Sequence, residues 1–209
     1  LIKNKLEEHK LTQTTKLYTV KQGQTIKFKQ MQVEFINSNH SIPDAVMLAI
    51  TTPVGTILHT GDFKIDYTPI DDKVIDLNRI AELENKGILA LLSDSTNSER
   101  KGFTMSESSV GEVFDRLFLN NSKRIVVATF ASNVHRVQQI VNSSIKYGRK
   151  IAVCGRSMMN MIDAAIELGY IKGAEDVFID IDNIKNYSDD QLVIITTGSQ
   201  GEAMSALTR

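Results

Sequence analysis

The sequence predicts an α/β fold in two parts, and three patterns support this fold class. Short stretches between residues 17 and 59 alternate apolar and polar residues, as half-buried strands do. Beyond residue 104, apolar runs of strand length alternate with segments of helical periodicity, which is typical of a parallel, doubly wound sheet. Residues 98–103, between the two parts, are polar and charged. We therefore expect one domain over residues 1–103 and a second over residues 104–209.

The first part is predicted to open with a helix and to continue mainly as strands. Residues 1–10 carry apolar side chains on one side of a helix. Residues 53–55 (Pro-Val-Gly) form a turn that joins two buried strands into a hairpin. A helix is predicted over residues 75–86, before Gly87. The predicted strands cover residues 17–20, 25–29, 31–36, 46–52, 56–58 and 88–92, the last as a buried strand.

The second part is predicted to alternate strands and helices. Thr104 or Ser106 is available to cap its first helix, and Gly169 ends its third. The predicted strands cover residues 124–129, 150–153 and 192–195. The predicted helices cover residues 105–119, 133–146 and 157–168, and a further helix opens near Glu202.

The composition excludes several classes of protein. No apolar run approaches the roughly 20 residues of a membrane-spanning helix, and the charged first ten residues do not form a signal peptide. The single cysteine, Cys154, excludes an internal disulfide and a cysteine-rich zinc site, and it fits a reducing cytoplasm. Because the net charge is −1, any contact with nucleic acid must come from local patches.

Two polar segments flank the predicted hairpin. Residues 37–45 (Asn-Ser-Asn-His-Ser-Ile-Pro-Asp-Ala) precede its first strand, and residues 59–64 (His-Thr-Gly-Asp-Phe-Lys) follow its second. Because these ends of an antiparallel pair lie side by side, His40 and Asp62 can point into one volume. An imidazole and a carboxylate are a common partial ligand set for zinc or manganese. A histidine beside a strand is also often structural, and an aspartate after glycine often forms a turn, so the spacing leaves both interpretations open.

Three loops of the second part share a chemistry that suits phosphate. They follow predicted strands, at the edge of the sheet where such folds bind ligands. Backbone N–H groups at helix N-termini favour phosphate, and Arg156 adds a charged fork. Serine and asparagine here are also ordinary helix caps, but three such loops together favour a phosphate-bearing ligand. His135 faces either this ligand or solvent. The loops are residues 130–136 (Phe-Ala-Ser-Asn-Val-His-Arg), 154–157 (Cys-Gly-Arg-Ser) and 197–202 (Thr-Gly-Ser-Gln-Gly-Glu).

These motifs resemble those of the ribonuclease J family, in the β-CASP group of the metallo-β-lactamase superfamily. Residues 40–44 (His-Ser-Ile-Pro-Asp) and 60–66 (Thr-Gly-Asp-Phe-Lys-Ile-Asp) resemble the third and fourth metal motifs of the superfamily. The three loops and residues 92–97 (Leu-Ser-Asp-Ser-Thr-Asn) resemble β-CASP segments. The resemblance implies part of a metallo-β-lactamase-type αββα sandwich, followed by most of a Rossmann-like β-CASP domain with a mainly parallel sheet.

The resemblance also implies an activity and a metal site. It implies a metal-dependent ribonuclease that acts as a 5′-to-3′ exonuclease, an endonuclease or both, in mRNA decay and rRNA processing. The complete enzyme would hold two Zn²⁺ or Mn²⁺ ions, with His40 as a ligand of one and Asp62 as the bridge between them. Asp94 would orient a downstream histidine near the scissile phosphate, although an Asx-turn alone also explains an aspartate after a strand.

The resemblance assigns the three loops to RNA, especially RNA with a 5′ monophosphate. It places Arg156 and Ser199 in the pocket for that phosphate, and Ser132, Asn133 and His135 along the RNA channel. It further implies a cytoplasmic homo-oligomer. With their neighbours, the expected RNA- and phosphate-binding residues are Ser132, Asn133, His135, Arg156, Ser157, Ser199, Gln200 and Gly201.

Part of the family pattern is absent from the sequence. The main metal motif, His-x-His-x-Asp-His, would lie upstream of Leu1, and two later histidines would lie downstream of Arg209. We therefore expect an internal fragment of a longer enzyme, which alone is inactive and binds metal weakly or not at all. The alternatives are a non-catalytic nucleic-acid-binding β-CASP module, or a hydrolase of the same superfamily that acts on DNA or on a small ester.

Overall fold

A computed structural model describes residues 2–201 and 205–206 of the chain, which fall into two units. The first unit runs to His40 and resumes over Asp44–Ser106. The second unit contains Ser41–Pro43 and the chain from Glu107 onward. The domain boundary expected after residue 103 lies close to this division and stays a prediction.

A mixed sheet forms the centre of the first unit. Its strands lie side by side in chain order, antiparallel from β1 to β4, whereas β5 runs parallel to β4. The Asp76 carboxylate caps α2 by accepting a hydrogen bond from the Arg79 backbone N–H at 2.9 Å. The elements are α1 (Ile2–Glu8), β1 (Thr25–Phe28), β2 (Met31–Asn37), β3 (Val46–Thr52), β4 (Gly55–His59), α2 (Leu77–Glu84) and β5 (Ile88–Leu92).

Alternation along the strands places one set of apolar side chains on the inner face of this sheet. Met47 and Ala49 are buried two positions apart on β3, as the period of a strand requires. Ile36 lies opposite Met47, and Leu58 lies opposite Ala49, so all four belong to one face. Leu83 of α2 joins the same cluster. The predicted hairpin of β3 and β4 is therefore present, with register fixed by its buried face.

Two predictions in the first unit are wrong. Residues 17–20 form no strand, and Leu17 and Tyr18 are exposed, because an isolated apolar tetrapeptide gains nothing without a partner strand. The predicted buried strand β5 exists, but Leu89 and Leu91 are about 60% exposed. β5 is the edge strand of the sheet, so it has a neighbouring strand on one side only.

A parallel sheet forms the centre of the second unit. Within the described residues its strand order is β6-β9-β7-β8. Thr196 of β9 lies opposite both Ala128 of β6 and Cys154 of β7, so these three strands end at the same level. The elements are α3 (Ser108–Leu119), β6 (Ile125–Ala128), α4 (Val134–Lys146), β7 (Lys150–Cys154), α5 (Arg156–Glu167), β8 (Phe178–Ile179) and β9 (Leu192–Thr196).

Apolar residues of the strands and helices pack into one core in this unit. Val137, Ile140 and Val141 of α4 are fully buried, together with Ile151 and Val193 of the sheet. The mixed α/β class and the parallel sheet, which the sequence predicted, are confirmed. The short β8 was not predicted, nor were the 3₁₀ helices at Ile181–Asn186 and Asp189–Gln191. No helix in the described part of the chain is long and apolar enough to cross a membrane.

The start of α3 differs from the prediction. The helix begins at Ser108 rather than at residue 105, with Glu107 in the capping position and without a side-chain cap. Glu107, rather than Thr104 or Ser106, therefore occupies the capping position, and the Ser106 hydroxyl donates to the Asp66 carboxylate at 3.0 Å and to the Thr68 carbonyl at 2.8 Å. The helix expected near Glu202 lies outside the described residues.

The core of the second unit predicts a large effect of truncation on α4. We expect Ile140→Ala to lower the free energy of unfolding by about 2–5 kcal/mol, because the side chain is fully buried and leaves a cavity. Ile145→Ala, on the same helix but half exposed, should cost much less. Chemical denaturation followed by circular dichroism measures both losses, and equal losses would contradict the described packing.

Candidate functional site

His40 and Asp62 lie beside each other at the end of the hairpin. His40 Nε2 is 3.8 Å from Asp62 Oδ2. The backbone brings the two loops together, because Asn39 and Lys64 form an antiparallel bridge in which the Lys64 N–H donates to the Asn39 carbonyl at 3.0 Å. The side chains of His40 and Asp62 are 37% and 75% exposed respectively, so both remain accessible to an ion from solvent.

The side chain of Asn39 joins the loop that contains His40 to the segment before α2. Asn39 is buried, and its amide donates to the Lys73 carbonyl at 2.5 Å. Its Oδ1 accepts a hydrogen bond from the Ile75 N–H at 2.9 Å. The residue next to His40 is therefore tied by its backbone to Lys64 and by its side chain to the segment before α2. The sequence prediction missed this anchor, and an asparagine in a polar loop gives no local signal for it.

Asp94 reaches the same region from the end of β5. The Thr60 N–H donates to the Leu92 carbonyl at 3.0 Å, and the Asp94 N–H donates to the Thr60 hydroxyl at 2.9 Å. Asp94 Oδ1 accepts a hydrogen bond from the Thr96 N–H at 2.8 Å, which is the Asx-turn that the sequence left as an alternative. The turn does not remove Asp94 from the site, because its backbone is bonded to the residue that precedes Gly61 and Asp62.

The carboxyl group of Asp94 is held in its charged form. Its pKa lies below the ordinary value of an aspartate, first because the backbone N–H and then because the hydroxyl of Thr96 donate to it. The Phe63 backbone N–H and the charge of His40 lower the pKa further. Asp94 therefore offers a negative charge near His40.

A buried ion pair lies in the segment that follows Asp62. Lys64 Nζ is 3.0 Å from Asp66 Oδ2, and the Asp66 side chain is only 2% exposed. The Ser106 hydroxyl and the Thr68 N–H, at 3.0 and 3.1 Å, donate to the same carboxylate. The sequence prediction did not single out Asp66. The sequence offers one indication, a second aspartate four residues after Asp62, but it does not show that this residue is buried.

The arrangement of His40 and Asp62 fits part of a metal site. Two ligand atoms of one tetrahedral zinc ion, each bonded at about 2.0–2.1 Å, lie about 3.3 Å apart, so the observed 3.8 Å needs only a small side-chain adjustment. Within the described residues, no group of three or more histidine, cysteine, aspartate or glutamate side chains is placed to hold an ion. The pair therefore fits an ion as a partial ligand set, to which further ligands must be added for tight binding.

The three loops of the second unit follow strands that end side by side. Because β9 lies between β6 and β7, the loops after Ala128, Cys154 and Thr196 leave the same edge of the sheet. Gly155, with φ +105°, is the capping residue before α5, and a Cβ there would lie 3.3 Å from the Cβ of Ala206. The chain after β9 therefore lies against the start of α5. Exposed polar side chains of this edge include Ser132, Arg156, Ser157, Ser199 and Gln200.

Asn133 behaves differently from the exposed loop residues. Its buried side chain caps α4, with Oδ1 accepting a hydrogen bond from the Arg136 N–H at 3.1 Å. The Arg136 guanidinium makes a two-pronged ion pair with the Glu107 carboxylate, at 2.8 and 2.9 Å. Asn133 and Arg136 thus fix the start of α4, while Ser132 is exposed and His135 is half-buried. Gly201 is exposed and closes a turn with Gly198.

Comparison with known proteins gives one family. A family model described as the β-CASP domain of ribonuclease J matches residues 122–209. Ribonuclease J of Synechocystis is 49% identical over 210 residues, an alignment that covers 100% of this chain and 33% of the relative. Ribonuclease J of Helicobacter pylori is 47% identical, with 100% of this chain and 30% of the relative covered. Ribonuclease J2 of Bacillus subtilis is 42% identical, with 100% and 38% covered.

A solved structure supports the fold alone. A crystal structure of a protein of unknown function from Enterococcus faecalis matches with a TM-score of 0.60 at 18% identity, over 86% of this chain and 44% of that one. The sequence relatives carry the assignment further, because their identity extends over the whole chain. The chain is therefore similar over its whole length to members of the ribonuclease J family, and it spans about a third of the length of the curated relatives that it matches.

Proposed function

We propose that the protein is a metal-dependent ribonuclease that hydrolyses phosphodiester bonds of RNA, from the 5′ end, internally or both, in mRNA decay and rRNA processing. The observation that carries the proposal is the pairing of His40 with Asp62, which a backbone bridge holds at 3.8 Å. The relatives named ribonuclease J align with the segments that contain both residues, since they cover the whole chain.

His40 and Asp62 would hold the metal with ligands from the rest of the protein. The imidazole supplies a neutral nitrogen and the carboxylate a charged oxygen that can bridge two ions, zinc or manganese. When bound, the metal supplies a water of lowered pKa and neutralises charge on the phosphate. Asp94, whose charged form is favoured by the Thr96 hydrogen bonds, would orient a histidine from downstream of these residues, close to the scissile phosphate. The ligands that the described residues place together are then too few for catalysis without the rest of the protein.

The second unit would bind the RNA backbone at the edge where its three loops meet. Arg156 at the first position of α5 supplies a charged fork, and the exposed N-terminus of the same helix supplies backbone N–H groups. Together with Ser157 and Ser199 this edge suits a 5′ monophosphate. Ser132 and His135 lie at the start of α4, where they would contact the RNA that follows. We further propose a homo-oligomer that acts in the cytoplasm.

The metal ligands provide the direct test of this function. In the full-length protein, His40→Ala and Asp62→Asn should each lower RNA hydrolysis at least about 100-fold, because the loss of a catalytic ion removes several kcal/mol of transition-state stabilisation. Metal content measured by atomic emission should fall in the same variants. His9→Ala and Asp72→Asn, which alter exposed residues of the same unit, are the matched controls.

Full hydrolysis by both site variants would contradict the proposal. Should the unsubstituted full-length protein bind RNA without cutting it, the non-catalytic binding module becomes the better account. Cleavage of DNA at the same rate as RNA would instead favour the less specific hydrolase of the same superfamily.

The loop edge predicts a dependence on the 5′ end of the substrate. Arg156→Met should reduce the preference for RNA with a 5′ monophosphate over RNA with a 5′ hydroxyl by about 10- to 100-fold, the worth of a charge-assisted hydrogen bond. Arg116→Met is the control, because α3 ends shortly before β6 starts, at the opposite edge of the sheet from the loops. An unchanged ratio of kcat/KM for the two RNAs in Arg156→Met would contradict this placement.

A further inference from the structure

We propose that Asp66 is a positioning residue for the metal pair, which sets the separation of His40 and Asp62 through Lys64. The inference rests on the proposed function, since it assumes that His40 and Asp62 hold a metal. It assigns a role to a carboxylate that lies outside the ligand set.

The environment of Asp66 suits a positioning residue rather than a metal ligand. Its side chain is 2% exposed, so an ion from solvent does not reach it. Oδ2 is 3.0 Å from both Lys64 Nζ and the Ser106 hydroxyl, and Oδ1 accepts a hydrogen bond from the Thr68 N–H at 3.1 Å. A buried carboxylate with partners on both oxygens holds its neighbours in one geometry.

Lys64 transmits this geometry to both metal ligands. Its ammonium group is paired with Asp66, and its side chain is only 18% exposed. Its backbone N–H is bonded to the Asn39 carbonyl, one residue before His40, and Lys64 itself lies two residues after Asp62. The side chain of a single residue is thus fixed by Asp66, while its backbone joins the two ligand loops.

The network also holds the chain at a second point. Ser106 is the last residue of the first unit, 40 positions from Asp66, and its hydroxyl bonds to both Asp66 and the Thr68 carbonyl. Within residues 62–68, Lys64 is therefore bonded to Asn39, and Asp66 and Thr68 are bonded to Ser106. Without the charge of Asp66, Lys64 loses its buried ion-pair partner. The distance between the His40 and Asp62 side chains then varies over a wider range.

The test measures metal affinity in the full-length protein. Asp66→Asn keeps the size of the side chain but removes its charge. We expect it to weaken Mn²⁺ binding by about 10- to 100-fold, the usual effect of losing a residue that orients a metal ligand. Isothermal titration calorimetry of metal-free protein gives the affinity, and the electron paramagnetic resonance spectrum of bound Mn²⁺ reports its coordination. The separate variant Lys64→Arg keeps the ion pair with Asp66 and should retain most of the affinity.

Two further variants separate positioning from folding. The double variant Asp66→Asn with Lys64→Met leaves no unpaired buried charge, and it should also bind Mn²⁺ weakly while it folds. Glu34→Gln breaks the Glu34–Arg79 ion pair of the same unit, which has contacts of 2.6 and 2.9 Å and a partly buried carboxylate, 18% exposed. It should lower the melting temperature and leave Mn²⁺ affinity unchanged.

Each outcome decides the proposal. Weak Mn²⁺ binding by Asp66→Asn and by the double variant, with normal binding by Glu34→Gln, supports it. Equal affinity in Asp66→Asn and the unsubstituted protein overturns this proposal alone and leaves the metal function standing. If the unsubstituted full-length protein does not bind Mn²⁺, or if His40→Ala does not alter the binding, both proposals fail.

Discussion

The bridge between Asn39 and Lys64 holds together the two loops on which the site in the first unit depends. The hairpin of β3 and β4 brings the loops to the same end of the sheet, but strand pairing alone leaves their polar side chains free to separate. The bridge adds one backbone hydrogen bond at that point, and the buried side chain of Asn39 fastens it to the segment before α2. His40 and Asp62 can then remain 3.8 Å apart although both are exposed to water.

The second unit reaches a comparable result by a different route. Its strands β6, β9 and β7 are parallel and end at one level, so the loops after them lie side by side at the same edge of the sheet. Helix N-termini then supply N–H groups in the same place. The start of α4 is stabilised by the Asn133 cap and by the ion pair between Arg136 and Glu107. The exposed residues of the edge are thereby left available for a ligand.

Sequence patterns predicted the parts of the structure that local periodicity determines. The hairpin follows from apolar runs around a Pro-Val-Gly turn, and the meeting of His40 with Asp62 follows from the hairpin. The contacts of Asn39 with the segment before α2, and of Ser106 with Asp66, could not be predicted, because the partners lie more than 30 residues apart in the chain. The exposure of β5 was missed for a related reason, since an apolar run does not reveal whether its strand lies at the edge of a sheet.

The position of the bound metal tests the central claim most directly. Anomalous diffraction from crystals of the full-length protein loaded with Mn²⁺ would locate the ion without reference to activity. The account predicts an ion about 2.0–2.2 Å from His40 Nε2 and from a carboxylate oxygen of Asp62. An ion bound elsewhere, with neither residue among its ligands, would contradict the account.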